Sequence, residues 1–160
     1  MAENTVRFYD PSDVSVTITE KNADGANGSM YNLTGFAEGS FISIEKDEDS
    51  ITPVVGAKGN VAVARSNNRM YTVTLTLDQT SPSCADLDKL EAGFKRFEIS
   101  VTNKSDAGSS DANAIDETFR ASEAMVKKPA GRTYSSEIET REYEIQAFIG
   151  EMINSGTGTV

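Results

Sequence analysis

The amino-acid sequence predicts a mainly β protein with antiparallel strands and one α-helix. Apolar and polar residues alternate along several segments, which is typical of half-buried strands. Only one segment has the three-and-four spacing of an amphipathic helix. The chain has 160 residues, enough for one domain with a real core. Since neither an internal repeat nor a break in composition is visible, we expect a single domain over residues 1–150.

Five segments show the alternation of a strand. The clearest runs from Met70 to Asp78, where apolar side chains share one face and threonines share the other. Successive side chains of a strand point to opposite faces of the sheet, so the apolar face should pack on the core. The apolar members of the five segments are Val14, Val16, Ile18, Val61, Val63, Tyr71, Val73, Leu75, Leu77, Phe97, Ile99, Val101, Tyr143, Ile145 and Ala147.

The helix is predicted at about residues 83–95. Ser83 can cap it, and Asp86 suits the positive end of the helix dipole. Pro82 lies just before the helix, where proline is tolerated. The predicted apolar stripe consists of Leu87, Leu90 and Phe94. This stripe must cover a face of the sheet, because nothing else is available to bury it.

The connections are marked by Gly, Asn, Asp and Ser. Residues 21–29 predict a loop or loose hairpin. A long extended loop is expected at about residues 46–60, an exposed insertion at about 104–114 and a flexible C-terminal tail at 151–160. An antiparallel sheet with a single helix leaves strand edges open, and open edges either need protection or pair with another chain. The pattern therefore indicates assembly.

Composition excludes several functional classes. The net charge is −10, with 25 acidic and 15 basic side chains, and no cluster of Lys and Arg is present to grip nucleic acid. No apolar run approaches the roughly 20 residues that span a bilayer. The N-terminal residues lack the basic start and apolar stretch of a secretory signal, so we expect none. Cys84 is the single cysteine, which fits a reducing cytoplasm.

The sequence offers no credible catalytic, cofactor or metal site. Without histidine, a Ser-His-Asp device and a Cys/His zinc site are impossible. Cys84 falls at a predicted helix N-terminus, which could lower its pKa, but a small semi-buried residue is the favoured interpretation. Acidic residues 47–49 lack EF-hand spacing, and Gly56-Ala57-Lys58-Gly59 lacks the ending of a phosphate loop. A carboxylate pair such as Glu142 and Glu144 is common in any acidic β protein. We predict no enzymatic activity and no cofactor.

Short motifs along nearly the whole chain resemble the tail tube proteins of contractile-tailed, myovirus-type bacteriophages. The motifs are Tyr9-Asp10-Pro11-Ser12-Asp13-Val14-Ser15-Val16, Gly35-Phe36-Ala37-Glu38-Gly39-Ser40-Phe41-Ile42, Asp47 through Ser50, Val55-Gly56-Ala57-Lys58-Gly59, Arg65-Ser66-Asn67, Val73-Thr74-Leu75-Thr76-Leu77, Gln79-Thr80-Ser81-Pro82-Ser83, Lys127-Lys128-Pro129 and Thr140-Arg141-Glu142-Tyr143. Their order and spacing carry the resemblance. The chain departs from the family pattern at residues 22–30, at residues 105–115 and after Phe148.

The resemblance implies an antiparallel β-sandwich or barrel-like subunit with a flanking helix. In that family, hexameric rings join sheets edge to edge and stack into the hollow inner tube of a contractile tail, the conduit for genome delivery. The implied partners are other copies of the chain, the tail sheath, baseplate, tail terminator and tape measure proteins, and double-stranded DNA in passage. No membrane anchor is implied. The implied location is the virion tail, after synthesis in the bacterial host cytoplasm.

Two sets of candidate assembly residues follow. The resemblance implies a long hairpin loop that reaches the neighbouring ring, and the candidates for this inter-ring arm are Lys46, Asp47, Glu48, Asp49, Ser50 and Lys58. The candidates for the lumen surface are the hydroxyl and acidic strand faces, made of Thr72, Thr74, Thr76 and Asp78, or of Glu142, Glu144 and Gln146. Each face could equally be an ordinary solvated outer surface, because alternation defines two faces without saying which looks inward.

Other functions stay open at this point. The tube of a phage-derived, bacteriocin-like injection particle would have the same sequence features. A monomeric β-type binding or decoration module is a second class, which the absence of Trp and the 8% aromatic content disfavour. A hydrolase that uses two carboxylates is the least favoured.

Overall fold

The computed structural model describes residues 9–104 and 116–154. In this part of the chain it is a mainly antiparallel β protein with one α-helix, as the sequence predicts. A short 3-10 helix, Pro11–Asp13, precedes the first strand. The strands are β1 Val14–Lys21, β2 Asn27–Asn32, β3 Ile42–Lys46, β4 Ile51–Val55, β5 Val61–Arg65, β6 Tyr71–Asp78, β7 Phe97–Lys104, β8 Asp116–Lys128, β9 Thr140–Ala147 and β10 Gly150–Asn154, and the helix is α1 Ser83–Ala92.

Eight of the strands form one sheet. Its order is β2-β1-β7-β8-β9-β6-β3, every neighbouring pair is antiparallel, and β10 pairs with β8 off this path. The long strand β8 is shared along one edge, because residues 124–128 pair with β9 and residues 117–121 pair with β10. The remaining strands, β4 and β5, form a separate two-stranded hairpin.

A single hydrophobic core lies on one face of this sheet. It contains Ile18 from β1 and Leu75 from β6, and Tyr31 of β2 and Ile44 of β3 pack against it from the two ends of the strand order. Residues from both ends of the sheet reach one cluster only if the sheet curves around it. The subunit is therefore an open barrel. The inward side chains predicted for β1, β6, β7 and β9 are buried, with Val14 and Tyr71 half-buried at strand ends.

Helix α1 packs against β8 and β2, and Leu87 and Leu90 bury its apolar side. It ends at Ala92 rather than at residue 95, because Gly93 follows it and Phe94 adopts a left-handed backbone with φ of 48°. The predicted stripe is wrong at Phe94, whose side chain is 79% exposed.

Ser83 does not cap the helix, contrary to the prediction. Pro82 holds the capping position, and the Ser83 hydroxyl accepts a hydrogen bond from the Thr34 N–H at 2.9 Å. The Ser81 hydroxyl accepts from the Ser83 N–H at 3.3 Å. The serines at this corner therefore tie the start of the helix to the connection after β2.

Two predicted connections differ in the structure, and a third lies almost entirely outside the described residues. The long loop at about residues 46–60 contains strand β4, whose partner is β5. The predicted tail begins inside β10, so residues 151–154 are strand residues, and residues 155–160 lie outside the described part. The predicted insertion at residues 104–114 also lies outside it, apart from Lys104 at the end of β7. In the described ranges, no helix has the length and apolar character needed to cross a membrane.

Candidate assembly surfaces

The two predicted sets of lumen residues lie side by side on one face. Strands β6 and β9 are antiparallel neighbours, and their register places Thr72 opposite Gln146, Thr74 opposite Glu144 and Thr76 opposite Glu142. All of these side chains alternate with core residues, so they point away from the core. The two alternatives drawn from the sequence are therefore one surface, which we call the polar face of β6 and β9.

This polar face continues over β3 on one side. Ser43 lies opposite Thr74, and Glu45 lies opposite Thr72. The acidic groups of the face outnumber its cations: Lys127 reaches Glu144 at 3.5 Å, whereas Glu45 and Glu142 have no ion-pair partner among the described residues. The threonine and serine hydroxyl groups between these carboxylates keep the surface hydrated, and the carboxylates make it net negative.

Asp47 connects the predicted arm to the predicted lumen surface. Its Oδ1 accepts a hydrogen bond from the Thr72 hydroxyl at 2.6 Å, and its Oδ2 accepts from the Gln146 side-chain amide at 2.8 Å. The hydrogen bonds from Thr72 and then Gln146 lower the pKa of Asp47 below its usual range. We call this arrangement of Asp47, Thr72 and Gln146 the carboxylate clamp. It joins the chain just after β3 to β6 and β9.

The hairpin of β4 and β5, residues 51–65, projects from the body, and we call it the arm. Its strands pair with each other from Ile51 opposite Arg65 to Val55 opposite Val61, and every residue of it is exposed. The predicted arm residues lie around it: Lys46, Asp47, Glu48, Asp49 and Ser50 form its root, and Lys58 lies at its tip. At the root, the Lys46 amine donates to the Ser50 hydroxyl at 2.6 Å.

Apolar side chains cover both faces of the arm. The register places Ile51, Pro53, Val55, Val61 and Val63 on one face, with Arg65 at its base, and Thr52, Val54, Ala62 and Ala64 on the other. Val55 is 67% exposed and Val61 is 66% exposed. Exposed apolar surface of this kind marks an interaction site. Alternation in the sequence predicts Val61 and Val63 as apolar strand residues, and the expectation that such a face packs on the core is wrong for them, because both are exposed. Alternation does not identify Ile51, Val54 and Val55 as strand residues.

The sheet keeps free edges in the described part of the chain. Strands β2 and β3 end the strand order, and each has a named partner on one side only. At β3, the Phe41 carbonyl accepts from the Thr76 N–H at 2.9 Å and the Asp47 N–H donates to the Met70 carbonyl at 3.0 Å. Backbone groups alternate in direction along an antiparallel strand, so those of Ile42, Ile44 and Lys46 point outward from the sheet.

Polar groups between helix α1 and strand β9 serve to hold the helix in place. The Tyr143 hydroxyl donates to Asp88 Oδ1 at 3.0 Å, and Arg132 pairs with the same carboxylate at 3.0 Å. Burial and then the hydrogen bond with Asp88 raise the pKa of Tyr143. Burial also raises the pKa of Cys84, so this thiol is a packed core residue rather than an activated one. Together, Asp88, Tyr143 and Arg132 hold α1 against β9 and against the connection before β9.

Comparisons with known proteins agree with this architecture. The family model described as the bacteriophage PhiTE tail tube protein matches residues 6–153. A structural protein, ORF10, of Pseudomonas phage KPP10 is 35% identical over 75 residues, covering 47% of this chain and 41% of that protein. The chain thus matches less than half of that relative's length.

Solved structures share the fold at low sequence identity. A chain in the cryo-EM structure of an extracellular contractile injection system, the PVC sheath/tube terminator in its extended state, has a TM-score of 0.55 and 15% identity, with 93% of this chain and 99% of that chain covered. A chain in the cryo-EM structure of the anti-feeding prophage baseplate has a TM-score of 0.53 and 10% identity, with 99% and 100% covered. At these identities the similarity concerns the fold alone.

Proposed function

Because the chain belongs to the bacteriophage PhiTE tail tube protein family, we propose that its copies form hexameric rings that stack into the hollow inner tube of a contractile phage tail. The tube is the conduit through which the genome reaches the host. The chain acts as a structural subunit of the virion and carries out no catalysis.

The open barrel is the observation that carries this proposal. Its sheet ends at β2 and β3 without closing, and an exposed strand edge invites pairing with another chain. A ring of copies satisfies the edges at β2 and β3, because each copy offers one of these two sheet ends to each neighbour. A monomeric binding module would need its edges covered by its own chain.

The arm supports stacking of the rings. Its two apolar faces need a cover that the rest of its own described chain does not supply. A contact between an arm on one copy and a different surface on the next repeats along an axis, and such heterologous contacts build filaments. Lys46, Asp47, Glu48, Asp49 and Ser50 position the arm in this proposal, and Lys58 lies at the end that reaches the neighbouring ring.

The polar face of β6 and β9 is proposed to line the lumen. The surface is hydroxyl-rich and net negative, so it repels the phosphates of a passing duplex and offers no strong contact that would hold it. The proposed lining residues are Thr72, Thr74, Thr76, Asp78, Glu142, Glu144 and Gln146.

Further partners follow from the same proposal. The outside of the tube would contact the sheath protein, its ends would contact the baseplate and tail terminator proteins, and its lumen would hold the tape measure protein before DNA passes. The protein would be made in the bacterial host cytoplasm and carried in the virion.

Electron microscopy of the purified protein at high concentration, and of the virion, tests the proposal. We expect rings with six-fold symmetry and long hollow tubes of one diameter, labelled in the virion by an antibody against this chain. Monomers at every concentration, together with a virion tube built from another protein, would rule the proposal out.

A further inference from the structure

A polar pocket lies where the arm joins the body of the subunit. Its volume is about 200 Å³. The wall is formed by the end of β3, the two ends of the arm and the connection between β5 and β6. Its polar lining residues include Lys46, Ser50, Arg65, Ser66, Asn68 and Arg69. We call it the root pocket.

Three cationic side chains share the root pocket, and none of them has an ion-pair partner in the described ranges of the chain. The Lys46 amine donates to the Ser50 hydroxyl at 2.6 Å. No side-chain hydrogen bond joins the guanidinium of Arg65 or Arg69 to another described residue. The chain as a whole has a net charge of −10, so cations without a partner are a local exception. Because like charges in one pocket repel each other, an anion between them is stabilised.

The acidic residues nearest in sequence do not neutralise the root pocket. Successive side chains of a strand point to opposite faces, so Glu45 lies on the polar face of β6 and β9 while Lys46 lies on the other side of β3. The Asp47 carboxylate is engaged in the carboxylate clamp. Glu48 and Asp49 are exposed, and neither pairs with a cation of the described residues. The fold thus separates these acids from the cations.

The neutral side chains of the root pocket offer hydrogen-bond donors. The Ser50 hydroxyl accepts from Lys46, and the Ser66 hydroxyl accepts from the Asn68 N–H at 3.3 Å, so each hydroxyl keeps its own hydrogen for donation. The side-chain oxygen of Asn68 accepts from the Met70 N–H at 2.9 Å, which leaves the side-chain NH₂ group as a donor. The root pocket therefore combines donors with positive charge and contains no carboxylate.

This combination fits a phosphate dianion better than a carboxylate. A carboxylate has two acceptor oxygens, whereas a phosphate monoester has three and carries about −1.5 to −2 charges at pH 7. Each guanidinium, of Arg65 and of Arg69, can donate two parallel hydrogen bonds to phosphate oxygens, and the Lys46 ammonium adds a point charge. A volume of about 200 Å³ compares with about 30 Å³ for one water in the liquid, so a phosphate group fits together with part of its hydration.

We propose that the root pocket binds one phosphate dianion per chain, either inorganic phosphate or the phosphate group of a small monoester. The pocket is complete within one copy, so this binding goes beyond the tube function and does not depend on it. Lys46 belongs to β3 and Arg65 to β5. The bound phosphate therefore bridges the body and the arm at the base of the arm, where the Ser66 N–H donates to the Ser50 carbonyl.

Equilibrium dialysis against radiolabelled inorganic phosphate tests the proposal, because it can be applied to free subunits and to tubes alike. Sodium chloride keeps the ionic strength constant. The pocket variant carries Arg65→Gln and Arg69→Gln, which removes two cations and leaves polar side chains. Its matched control carries Lys58→Gln and Lys128→Gln, the same change in charge at the arm tip and at the end of β8. Circular dichroism and thermal unfolding check that each variant folds.

The wild type and the control should each bind one phosphate per chain with similar affinity. The pocket variant should bind at least about tenfold more weakly, because hydrogen bonds to charged groups contribute more than neutral ones. Saturating phosphate should also slow hydrogen exchange of the Ser66 N–H in the wild type and not in the pocket variant, since the bridge restrains the base of the arm.

Competition experiments distinguish the sources of the phosphate. Adenosine 5′-monophosphate that displaces the label at lower concentration than unlabelled phosphate identifies a monoester as the ligand, and weaker displacement identifies inorganic phosphate. If sodium acetate displaces the label as effectively as unlabelled phosphate, the pocket takes protein carboxylates and the inference is overturned. Displacement by a short DNA duplex at an equal concentration of phosphate groups would overturn it in favour of a nucleic acid.

Two direct results would also overturn the inference. One is a wild type that retains no phosphate at constant ionic strength, and the other is a pocket variant that binds phosphate as tightly as its matched control. The proposed tube function stands in either case, because electron microscopy of rings and tubes tests it separately.

Discussion

Leu75 lies on the inward face of β6 and is completely buried. Shortening it to alanine removes packed atoms and leaves a cavity that the surrounding strands fill only in part. We expect Leu75→Ala to lower the free energy of unfolding by about 2–5 kcal/mol. Urea unfolding of the unassembled protein measures this change. The neighbour Thr74 points to the polar face, and Thr74→Ala should shift stability by no more than about 0.5 kcal/mol. Equal effects at both positions would contradict the assignment of the two faces.

Asp47 is the residue whose ionisation the carboxylate clamp depends on. Its pKa is lowered from the usual 3.8 by hydrogen bonds from Thr72 and then Gln146. The contribution of such a group to stability is fully present above its unfolded pKa and is lost as pH falls through the lower folded value. We expect the side-chain amide signals of Gln146 in NMR spectra to move as pH falls, with a midpoint below the ordinary carboxyl value of 3.8.

The matched control for the carboxylate clamp is Asp49→Asn, a neighbour with no hydrogen bond to Gln146. Asp47→Asn should abolish the pH-dependent movement of the Gln146 signals, whereas Asp49→Asn should leave it intact. A midpoint at or above the ordinary carboxyl value in the wild type would show that the clamp does not form in solution.

Burial could be predicted residue by residue for β1, β6, β7 and β9, but not for β5, where Val61 and Val63 alternate with alanines and are nevertheless exposed. Alternation is a local property of the backbone, so the inward positions of β6, β7 and β9 follow from sequence spacing alone. Phe94 shows where this kind of reasoning stops. Its position fits a helical stripe after Leu90, but the left-handed turn at φ of 48° takes its side chain off the helix. Nothing in the periodicity reports that turn.

The arm is an element that should be separable from the rest of the fold. Among the described residues its strands pair only with each other, and the Ser66 N–H donates to the Ser50 carbonyl at 2.9 Å across its base. Replacing residues 51–65 by Asn-Gly, which closes a two-residue hairpin, should preserve the body and stop growth beyond rings. Circular dichroism and thermal unfolding measure the body, and electron microscopy measures assembly.

Two results would contradict this view of the arm. Tubes of ordinary length from the shortened chain would show that stacking does not need it. A large loss of thermal stability in the unassembled protein would show that the arm packs on its own body. A chain carrying Val54→Ile and Val63→Ile, with the arm intact, is the assembly control.

The position of the arm could be predicted, but its strand pairing and its two apolar faces could not. Charged residues and glycines between predicted strands indicated an extended segment, and the resemblance implied its inter-ring role. Its pairing was not visible, because β4 contains Pro53 and does not alternate. The apolar stretches that begin at Ile51 and Val61 are two paired strands, and their side chains form the two faces of one ribbon. Recognising those faces requires the register between β4 and β5.

At the scale of the whole molecule, the order of the strands in the sheet could not be predicted from sequence patterns. Strands β6 and β9 are neighbours although more than sixty residues separate Asp78 from Thr140. Pairing at that distance depends on the packing of the complete core rather than on any local signal. For this reason the threonines of β6 and the glutamates of β9 were alternatives in the sequence, and the structure makes them one surface.

That surface leads to a prediction for the assembled tube. If the polar face of β6 and β9 lines the lumen, then Glu142→Lys with Glu144→Lys places rings of cations around the channel and frees Lys127 from its partner Glu144, 3.5 Å away. Tubes assembled from this variant with a short DNA duplex should retain the duplex, protect it from nuclease and release it as salt rises, because cation–phosphate contacts release counterions.

Glu142→Gln with Glu144→Gln should retain less DNA, and the wild type should retain none. Glu91→Lys with Glu137→Lys makes the same change in charge at the helix and the exposed loop before β9, away from this face, and should leave the lumen unable to hold DNA. Protection that is equal for the two lysine pairs would place the polar face outside the channel, and the lumen would then have to be sought on the strands β1, β7 and β8.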